Sequence, residues 1–383
     1  MELKPGYKLT DLGVIPNDWR TPEVGEVCGF IVPGRNKPKL FDGDIPWITT
    51  PDMEEGQTVT SSRLGLHISR AEAKLIGSKI VPPGSVLMSC AGELGIVALT
   101  QNEIVVNQQL HVFIPTECIE KKFLLNALAY QKNQIASFGT KTAVPYLNKS
   151  SCNSILIPLP PLPEQRSIAT ALSDMNELLG GLDRLITKKR DLKQSAMQQL
   201  LTGKTRLPGF DEEWDMKQLG DVLTICHGRN QREVQVEDGS YPILATGGEI
   251  GRARSFLYDK PSVLIGRKGT IDQPKYIDTP FWTVDTLFYS IIHDFNSAKF
   301  IFYSCCLIDW YKYNEASGVP SLSARTIEKI DITFPKPKEQ IAIASILSDM
   351  DTEIATLEQR RNKTRDLKQA MMQELLTGRI RLL

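Results

Sequence analysis

Residues 164–207, EQRSIATALSDMNELLGGLDRLITKKRDLKQSAMQQLLTGKTRL, recur without a gap as residues 339–382, EQIAIASILSDMDTEIATLEQRRNKTRDLKQAMMQELLTGRIRL. Of these 44 aligned positions 23 are identical, whereas chance matching at ordinary amino-acid usage gives about 2 or 3. The segment is therefore an internal duplication. Because each copy follows a longer and divergent stretch, the sequence predicts a pseudo-twofold internal repeat within one chain.

Start and stop signals predict that each copy forms one long helix. In the first copy Pro161 and Pro163 lead into Glu164, and a helix tolerates proline and favours an acidic residue in its first turn. Gly203 follows the last apolar residues, where a left-handed C-terminal cap favours glycine. Between these signals lie about forty residues, which at 1.5 Å each make a rod of roughly 60 Å.

The spacing of apolar residues predicts that the two long helices form a coiled coil, although an ordinary core helix gives a similar stripe. After a polar interval that contains the basic clusters 188–190 and 360–361, we expect both helices to resume apolar contacts. The predicted seam consists of Leu172, Met175, Leu179, Leu182, Ile186 and Leu192 in the first copy and Leu347, Met350, Ile354, Leu357 and Leu367 in the second.

An antiparallel pairing is expected, with the globular parts at opposite ends. A parallel pairing would require the chain between the helices to travel the full length of the rod and return. Gly180 and Gly181 lie inside the first helix, where each costs about 1 kcal/mol relative to alanine. They predict a kink or a close helix approach in that copy alone, because Ala355 and Thr356 replace them in the other.

The stretches outside the helices share landmarks and read as mixed α/β domains. Trp19 precedes VGEV at 24–27 as Trp214 precedes LGDV at 219–222, and AVPYL at 143–147 lies 175 residues before GVPSL. Short Val/Ile-rich runs predict strands at 104–106 and 262–265, with helices near 121–134 and 298–311. The predicted fold class is α+β, with domains at 1–160 and 206–335 and long helices at 161–205 and 336–383.

Composition bounds the function. Lysine plus arginine equals aspartate plus glutamate at 45 each, so any binding of a polyanion must come from local patches. No apolar run approaches the roughly 18 residues of a membrane span, and the first residues lack the shape of a signal peptide. The seven cysteines, an odd number without CxxC spacing, suit free thiols in a reducing compartment. We therefore expect a cytoplasmic protein.

Catalytic motifs are nearly absent from the sequence. It contains no GxxxxGK[ST] phosphate loop, no GxGxxG and no Asn-Pro-Pro-Tyr-like stretch, and its four histidines are isolated. We expect no catalytic residue, no cofactor and no metal. One formal match to a metal-dependent nuclease signature remains, Asp52 followed by Glu72 and Lys74, although Glu72 to Lys74 also read as an exposed helix.

Four motifs occur in combination: PLPPLPEQ at 158–165, LLTGKTRL at 200–207, the tryptophan followed by (L/V)G(E/D)V, and the opening GYKLTDLGVIPNDW at 6–19. With these motifs the chain resembles the specificity subunit of type I restriction-modification enzymes. The resemblance implies two target recognition domains, each reading half of a bipartite site in double-stranded DNA. It also implies that the helices act as a ruler and dock two methyltransferase (modification) subunits, with motor-nuclease (restriction) subunits added for cleavage. A self-contained nuclease and a protein-only coiled-coil scaffold are the alternatives.

Candidate DNA contacts lie in loops, where each has a plainer structural interpretation. Arg267 and Lys268, on a glycine-flanked turn, suit phosphate or a guanine edge, and a solvated turn is equally compatible. Asn107 and Gln108 are amides of the kind that pair with adenine, or they bond within their own loop. The remaining candidates belong to the glycine-punctuated loop of the first domain or lie near the Val-Pro landmarks; they are Ser89, Gly92, Lys141, Thr142, Ser317 and Arg325.

Overall fold

The structure, a computed structural model, describes residues 5–34, 36–140 and 143–382. The chain divides into two compact units. The first consists of Met1–Leu182 and Arg360–Leu383, and the second of Asp183–Gln359. Each unit contains one globular domain and parts of both long helices.

The first globular domain contains two sheets and a separate β-hairpin. Its strands are β1 (Tyr7–Thr10), β2 (Gly13–Pro16), β3 (Cys28–Ile31), β4 (Ile45–Ile48), β5 (Thr58–Val59), β6 (His67–Ile68), β7 (Val86–Ser89), β8 (Val97–Thr100), β9 (Val105–Val106) and β10 (Leu110–Pro115). They form a five-stranded sheet of order β3-β10-β7-β8-β5, a three-stranded sheet of order β6-β4-β9 and the hairpin β1-β2. Its helices are α1 (Val24–Val27), α2 (Arg70–Leu75), α3 (Lys121–Tyr130), α4 (Lys132–Ser137) and α5 (Lys149–Asn153), followed by the long helix α6 (Leu162–Leu200).

The second globular domain repeats this plan with shorter connections. Its strands are β11 (Asp215–Gln218), β12 (Leu223–Cys226), β13 (Gln235–Val236), β14 (Tyr241–Ala245), β15 (Gly248–Ala253), β16 (Ser262–Gly266), β17 (Lys275–Ile277), β18 (Trp282–Thr283), β19 (Leu287–Ile292) and β20 (Asp331–Phe334). The sheets have the orders β12-β19-β16-β17, β13-β15-β14-β18 and β11-β20. Its helices are α7 (Leu219–Val222), α8 (Ala298–Cys305), α9 (Ala324–Glu328) and the long helix α10 (Pro337–Leu375).

Equivalent strands pair in the same way in both domains. In the first, β10 lies antiparallel between β3 and β7, and β4 runs parallel to β9. In the second, β19 lies antiparallel between β12 and β16, and β14 runs parallel to β18. The shared pairing supports the α+β fold class and the internal repeat that the landmarks predicted.

The helix predicted at 298–311 ends earlier than expected. Helix α8 stops at Cys305, and a short 3-10 helix, Trp310–Tyr313, follows it. The indole Nε1 of Trp310 donates a hydrogen bond of 3.0 Å to the carbonyl of Cys305. This contact satisfies one of the carbonyls that a helix end leaves free, so the apolar run continues after the helix has ended. In the first domain the predicted helix is likewise divided into α3 and α4.

Each long helix is a continuous run of 39 residues. Helix α6 passes through Gly180 and Gly181 without interruption. Both helices are followed by a glycine in the left-handed region, Gly203 with φ 69° and Gly378 with φ 67°. The predicted glycine cap is therefore confirmed, because only glycine adopts this conformation without steric cost. In the described parts of the chain, no helix is both long and apolar enough to span a bilayer.

Within each unit, the two long helices run antiparallel. In the first unit, Ile168 and Leu172 near the start of α6 share a buried core with Met372 and Leu375 near the end of α10. In the second unit, the same relation holds between Met197 and Leu200 of α6 and Ile343 and Leu347 of α10. Helix-to-helix ion pairs in that unit join Lys189 to Glu353 at 2.7 Å, Lys193 to Asp351 and Arg190 to Glu358. The pairing direction agrees with the sequence-based expectation.

The described side chains of the predicted seam differ in burial. Leu172, Leu182, Ile186, Leu347 and Ile354 are buried, whereas Met175, Leu179, Met350 and Leu357 are half-buried. Leu192 and Leu367, in contrast, are 47% and 55% exposed. The next residues, Lys193 and Lys368, are half-buried and occupy the inward position instead. A lysine can do so because its aliphatic stem packs on apolar surface while the amine reaches a polar partner, here the carboxylate of Asp351 for Lys193.

A buried glutamate at the start of each long helix binds a tryptophan and an arginine of its own unit. Glu164 accepts hydrogen bonds from Trp19 Nε1 (3.0 Å) and from Nε (2.6 Å) and Nη2 (2.8 Å) of Arg381. Arg381 also pairs with Asp18 at 2.7 Å, and this hydrogen bond lowers the pKa of the Asp18 carboxyl. We call these residues the first-unit clamp.

The second unit repeats the arrangement. Glu339 accepts hydrogen bonds from Nε and Nη2 of Arg206, both at 2.8 Å, and from Trp214 Nε1 at 3.1 Å. Both glutamates are buried. The duplication therefore preserves a polar anchor as well as a helix, and the two repeated tryptophans have the same role.

Candidate nucleic-acid interface

In the first domain, three loops meet through backbone hydrogen bonds. The loop 107–109 joins β9 to β10: Asn107 N donates to Ile48 O at 3.0 Å, and Gln109 O accepts from Cys90 N at 2.8 Å. The glycine-punctuated loop after β7 in turn holds the Val-Pro landmark, since Gly92 N donates to Pro145 O at 2.9 Å and Leu147 N donates to Cys90 O at 2.8 Å. Residues far apart in the sequence are thus fixed in one surface.

Two cavities open on this surface. One, of about 400 Å³, is lined by Asn36, Lys37, Trp47 and the loop 107–109, among others. The other, of about 540 Å³, is lined by Val32, Cys90, Tyr146, Asn148 and Lys149 together with Gln108 and Gln109. Because both cavities share Gln108 and Gln109, they form one recessed surface, which is lined by neutral amides and by a lysine at each side. We call it the first-domain face.

Some of the predicted DNA-contact residues of the first domain bond within the domain, whereas Gln108 presents its side chain to solvent. Ser89 is buried; its hydroxyl donates to Glu93 O at 2.6 Å and accepts from Ile96 N at 2.8 Å, so it closes the turn. Gly92 supports the same turn with φ 78°. Asn107 bonds the side chain of Gln109 at 3.1 Å, whereas the exposed side chain of Gln108 has no hydrogen-bond partner in the described part of the chain. Lys141 and Thr142 lie outside the described residues.

A buried histidine supports the first-domain face from beneath. His111 Nε2 lies 3.1 Å from Asn153 Oδ1, and its ring packs edge-on against Phe113. Burial lowers the pKa of His111 from 6.5 to about 4. The imidazole is therefore neutral at physiological pH and acts as an uncharged spacer beneath the loops.

The second domain carries the same backbone frame. Val284 N donates to Leu244 O at 3.0 Å, and Thr286 O accepts from Arg267 N at 2.9 Å. Gly269 N donates to Pro320 O at 2.9 Å, and Leu322 N donates to Arg267 O at 2.9 Å. Each hydrogen bond has its counterpart in the first domain, so Arg267 corresponds to Cys90, Lys268 to Ala91, and the loop 284–286 to the loop 107–109.

The side chains on this frame differ from those of the first domain. Arg267 Nη1 donates to the carbonyl of Asp285 at 3.0 Å and lies 3.7 Å from its carboxylate. Lys268, the next residue, is exposed, and so is Ser317 in the segment before the Val-Pro landmark. We call Arg267, Lys268, Asp285 and Ser317 the second-domain face. Arg325 is also exposed but belongs to helix α9, whose first turn is capped by Ser323.

One repeated tripeptide was missed by the sequence reasoning. Gly34-Arg35-Asn36 follows β3 and Gly228-Arg229-Asn230 follows β12. Asn36 lines the first-domain face. A Cβ atom at Gly228 would lie 2.1 Å from Val284 O, so glycine is required for this loop to touch the loop 284–286. The signal was the repeated GRN itself, although Arg35 lies outside the described residues.

The nuclease alternative relied on Asp52 and Glu72, and both carboxylates have structural partners. Asp52 accepts a 2.7 Å hydrogen bond from each of Thr49 N and Arg63 N and so closes a short 3-10 turn. Glu72 is buried and accepts from Lys39 N at 2.7 Å. Among the described residues, no group of three or more His, Cys, Asp or Glu side chains is arranged to hold a metal.

The chain contains two copies of one mixed α/β fold, each joined to a copy of the duplicated helix. Because the loops of the two copies carry different side chains, the protein presents two unlike faces. The chain belongs to the type I restriction modification DNA specificity domain family, which matches residues 16–187 and again residues 211–364. The two matches coincide with the two halves of the internal repeat.

Individual relatives extend this similarity. The chain is 27% identical to the type I restriction enzyme MjaIX specificity subunit of Methanocaldococcus jannaschii, over 62% of the chain and 60% of that protein. It is 23% identical to the MjaVIII specificity subunit of the same organism, over 96% of the chain and 94% of that protein. The chain thus spans less than two thirds of the length of the first relative and nearly all of the second.

Solved structures show the same fold. The S subunit of a type I restriction-modification system from M. genitalium superposes with a TM-score of 0.67 at 16% identity, covering 98% of this chain and 99% of that one. A chain from a structure of complex assembly and conformational transition in the type I restriction-modification system gives a TM-score of 0.59 at 19% identity, covering 96% and 99%.

Proposed function

We propose that this chain is the non-catalytic DNA-recognition subunit of a type I restriction-modification enzyme. Each globular domain reads one half of a bipartite, asymmetric site in the major groove of double-stranded DNA. The paired helices set the distance between the halves and dock two methyltransferase subunits, with motor-nuclease subunits joining for cleavage. The chain requires no cofactor of its own.

The observation that carries the proposal is the shared backbone frame with exchanged side chains. Matching backbone hydrogen bonds hold the same loops in both domains. Because these bonds do not depend on side-chain identity, both domains present their loops in the same way. At the matched positions of the frame, the side chains of Cys90, Ala91 and Gln108 are neutral in the first domain, whereas those of Arg267, Lys268 and Asp285 are charged in the second. Two readers with different contacts select two different half-sites, so the full site is asymmetric.

The long helices carry the argument for partner docking. Arg190-Asp191-Leu192 recurs as Arg365-Asp366-Leu367, and all six residues are exposed. Exposed leucines conserved between the copies have no role in the seam, but identical surfaces suit two copies of one partner. We infer that Leu192 and Leu367 belong to two equivalent docking sites for methyltransferase subunits.

Docking is tested by Leu192→Asp and Leu367→Asp, alone and combined, in complexes assembled with the methyltransferase. Each single variant is expected to bind one copy and the double variant none, measured by light scattering after size-exclusion chromatography. Leu178→Asp, at an exposed position where the second copy has Glu353, is the matched control. If the double variant still binds two copies, these leucines do not form the docking sites.

Domain exchange tests half-site reading. Replacing residues 208–335 by the same region of a relative leaves Arg206 and Glu339 in place to bind the incoming tryptophan. We expect one half of the selected DNA site to change and the other half to stay the same, measured by methylation mapping or by selection from a random duplex library. A change in both halves would refute the modular assignment.

The ruler is tested by deleting seven residues around Leu182. A seven-residue deletion keeps the apolar pattern in phase and shortens the helix by about 10 Å. We expect the permitted spacing between half-sites to change or the assembly with partners to be lost. An unchanged site would count against the ruler.

The nuclease alternative predicts DNA cleavage by the purified chain with magnesium, abolished by Asp52→Ala. We expect no cleavage by the chain alone and cleavage only in the complex with its methyltransferase and motor-nuclease subunits. A cytoplasmic location follows from this role, and the seven free cysteines suit that reducing compartment.

A further inference from the structure

The two domains place a neutral and a negatively charged side chain at one equivalent position. The middle residue of the loop 107–109 is Gln108, and the middle residue of the loop 284–286 is Asp285. Both loops begin with a backbone N–H donated to the parallel neighbour strand, and both end with a carbonyl bonded to the glycine-punctuated loop. The equivalence therefore rests on matched hydrogen bonds and does not depend on sequence similarity.

The residues beside this position also differ in charge between the two domains. On the glycine-punctuated loop, Cys90 and Ala91 carry no charge where Arg267 and Lys268 stand in the second domain, and the lysines of the first-domain face, Lys37 and Lys149, belong to other segments. The side-chain amide of Gln108 is exposed and lacks a hydrogen-bond partner among the described residues. An amide offers one donor and one acceptor side by side, which match N7 and the N6 amino group of adenine.

In the second domain, the charged pair has the groups that a G·C pair requires. Arg267 contacts Asp285 through Nη1, which leaves donors on Nε and Nη2 for guanine O6 and N7. The Asp285 side chain is 73% exposed, and a carboxylate accepts from the N4 amino group of cytosine. An exposed ion pair contributes little stability, so a base pair can replace it at small cost.

We propose that the two faces read opposite base-pair types at this shared position. Gln108 contacts the adenine of an A·T pair in the half-site of the first domain. Arg267 and Asp285 contact the guanine and cytosine of a G·C pair in the half-site of the second domain. The inference rests on the proposed function and adds base identity to it.

Site selection with the full-length chain tests this directly. The wild type and the variants Gln108→Ala, Arg267→Gln and Arg267→Lys are each bound to a randomised duplex library at one fixed salt concentration, and the bound DNA is sequenced. The half-site of each domain is known from the domain exchange. Gln101→Ala removes a side-chain amide and Lys260→Gln removes a positive charge, both at exposed positions outside the two faces, and these variants serve as controls.

We expect Gln108→Ala to lose an A·T preference of roughly 5- to 150-fold in the first half-site, the range for one bidentate contact. Arg267→Gln should convert a G·C preference in the second half-site into an A·T preference and leave the first half-site unchanged. Arg267→Lys should keep the G·C preference. Because the Arg267→Gln result is a gain of a new preference, misfolding cannot produce it.

Two results would overturn the inference, and they are distinguishable. A bipartite site that keeps its G·C preference in Arg267→Gln, or its A·T preference in Gln108→Ala, refutes the base assignment and leaves the proposed function intact. Failure of the wild type to select any bipartite site refutes the proposed function and the inference together. The control variants should select the wild-type site.

Discussion

The replacement Arg381→Ala tests whether the first-unit clamp stabilises its unit through a buried charge. Arg381 supplies two of the three hydrogen bonds that Glu164 accepts, at 2.6 and 2.8 Å, and Trp19 supplies the third. Without Arg381 the carboxylate stays buried with one donor. Removing one partner of a buried ion pair costs about 3 to 5 kcal/mol. Since the Arg381 side chain is 23% exposed, we take the lower limit of about 3 kcal/mol.

Hydrogen exchange measured by mass spectrometry resolves this effect by unit. A loss of about 3 kcal/mol should speed exchange in β7 and β10 of the first unit by roughly 100-fold, because each 1.4 kcal/mol is a factor of ten. Exchange in β16 and β19 of the second unit should not change. Arg206→Ala is the matched control and should produce the reverse pattern, since Arg206 holds Glu339 in the same way.

A second substitution separates charge burial from simple loss of packing. Glu164→Gln in the Arg381→Ala background removes the unpaired charge but can still accept from Trp19, so it should restore about 1 to 2 kcal/mol. If Arg381→Ala changes exchange in the first unit by less than fivefold, or if Glu164→Gln makes the double variant less stable, the clamp does not act through a buried charge.

Two further predictions concern the faces. The pKa of His111 is near 4 in the folded protein and near 6.5 in the unfolded chain, so the unfolded state binds a proton first as the pH falls, and the free energy of unfolding should drop by about 3 kcal/mol between pH 7 and 4. In His111→Gln, the urea midpoint should lack this part of the pH dependence; if the midpoint still falls steeply with pH, other groups cause the effect. Gly228→Ala would place Cβ 2.1 Å from Val284 O and should weaken binding at the second half-site alone. Gly247→Ala, at a position with open space around it, should bind DNA like the wild type. Equal affinities of the two variants in a gel-shift titration would contradict the predicted clash.

The long helices were predictable because their signals are local. Proline before Glu164 and glycine at 203 mark the ends through backbone conformation alone, and the duplication repeats both signals. The seam was predictable only as far as Ile186. Beyond it the inward positions belong to Lys193 and Lys368, and a pattern of hydrophobicity cannot show that a lysine stem packs inward while a leucine faces out.

The candidate site was predictable as a frame but not in its details. The repeated Val-Pro and glycine landmarks identified the loops that meet in each domain. They could not show that Ser89 faces its own turn, because its partners Glu93 O and Ile96 N are backbone atoms whose positions depend on the folded loop. The roles of Glu164 and Glu339 were also hidden, since each binds an arginine more than a hundred residues away.

The contact between Tyr7 and Gly378 has a consequence for how the gene can be cut and rejoined. The Tyr7 hydroxyl donates to the Gly378 carbonyl at 2.9 Å, so residues 7 and 378 lie side by side in the first unit. Arg381, which follows α10, has the role that Arg206 has in the linker between α6 and the second domain. A circularly permuted chain, opened near residue 210 and closed by a short peptide that joins the segment after Arg381 to the segment before Tyr7, would therefore keep every contact described for both clamps.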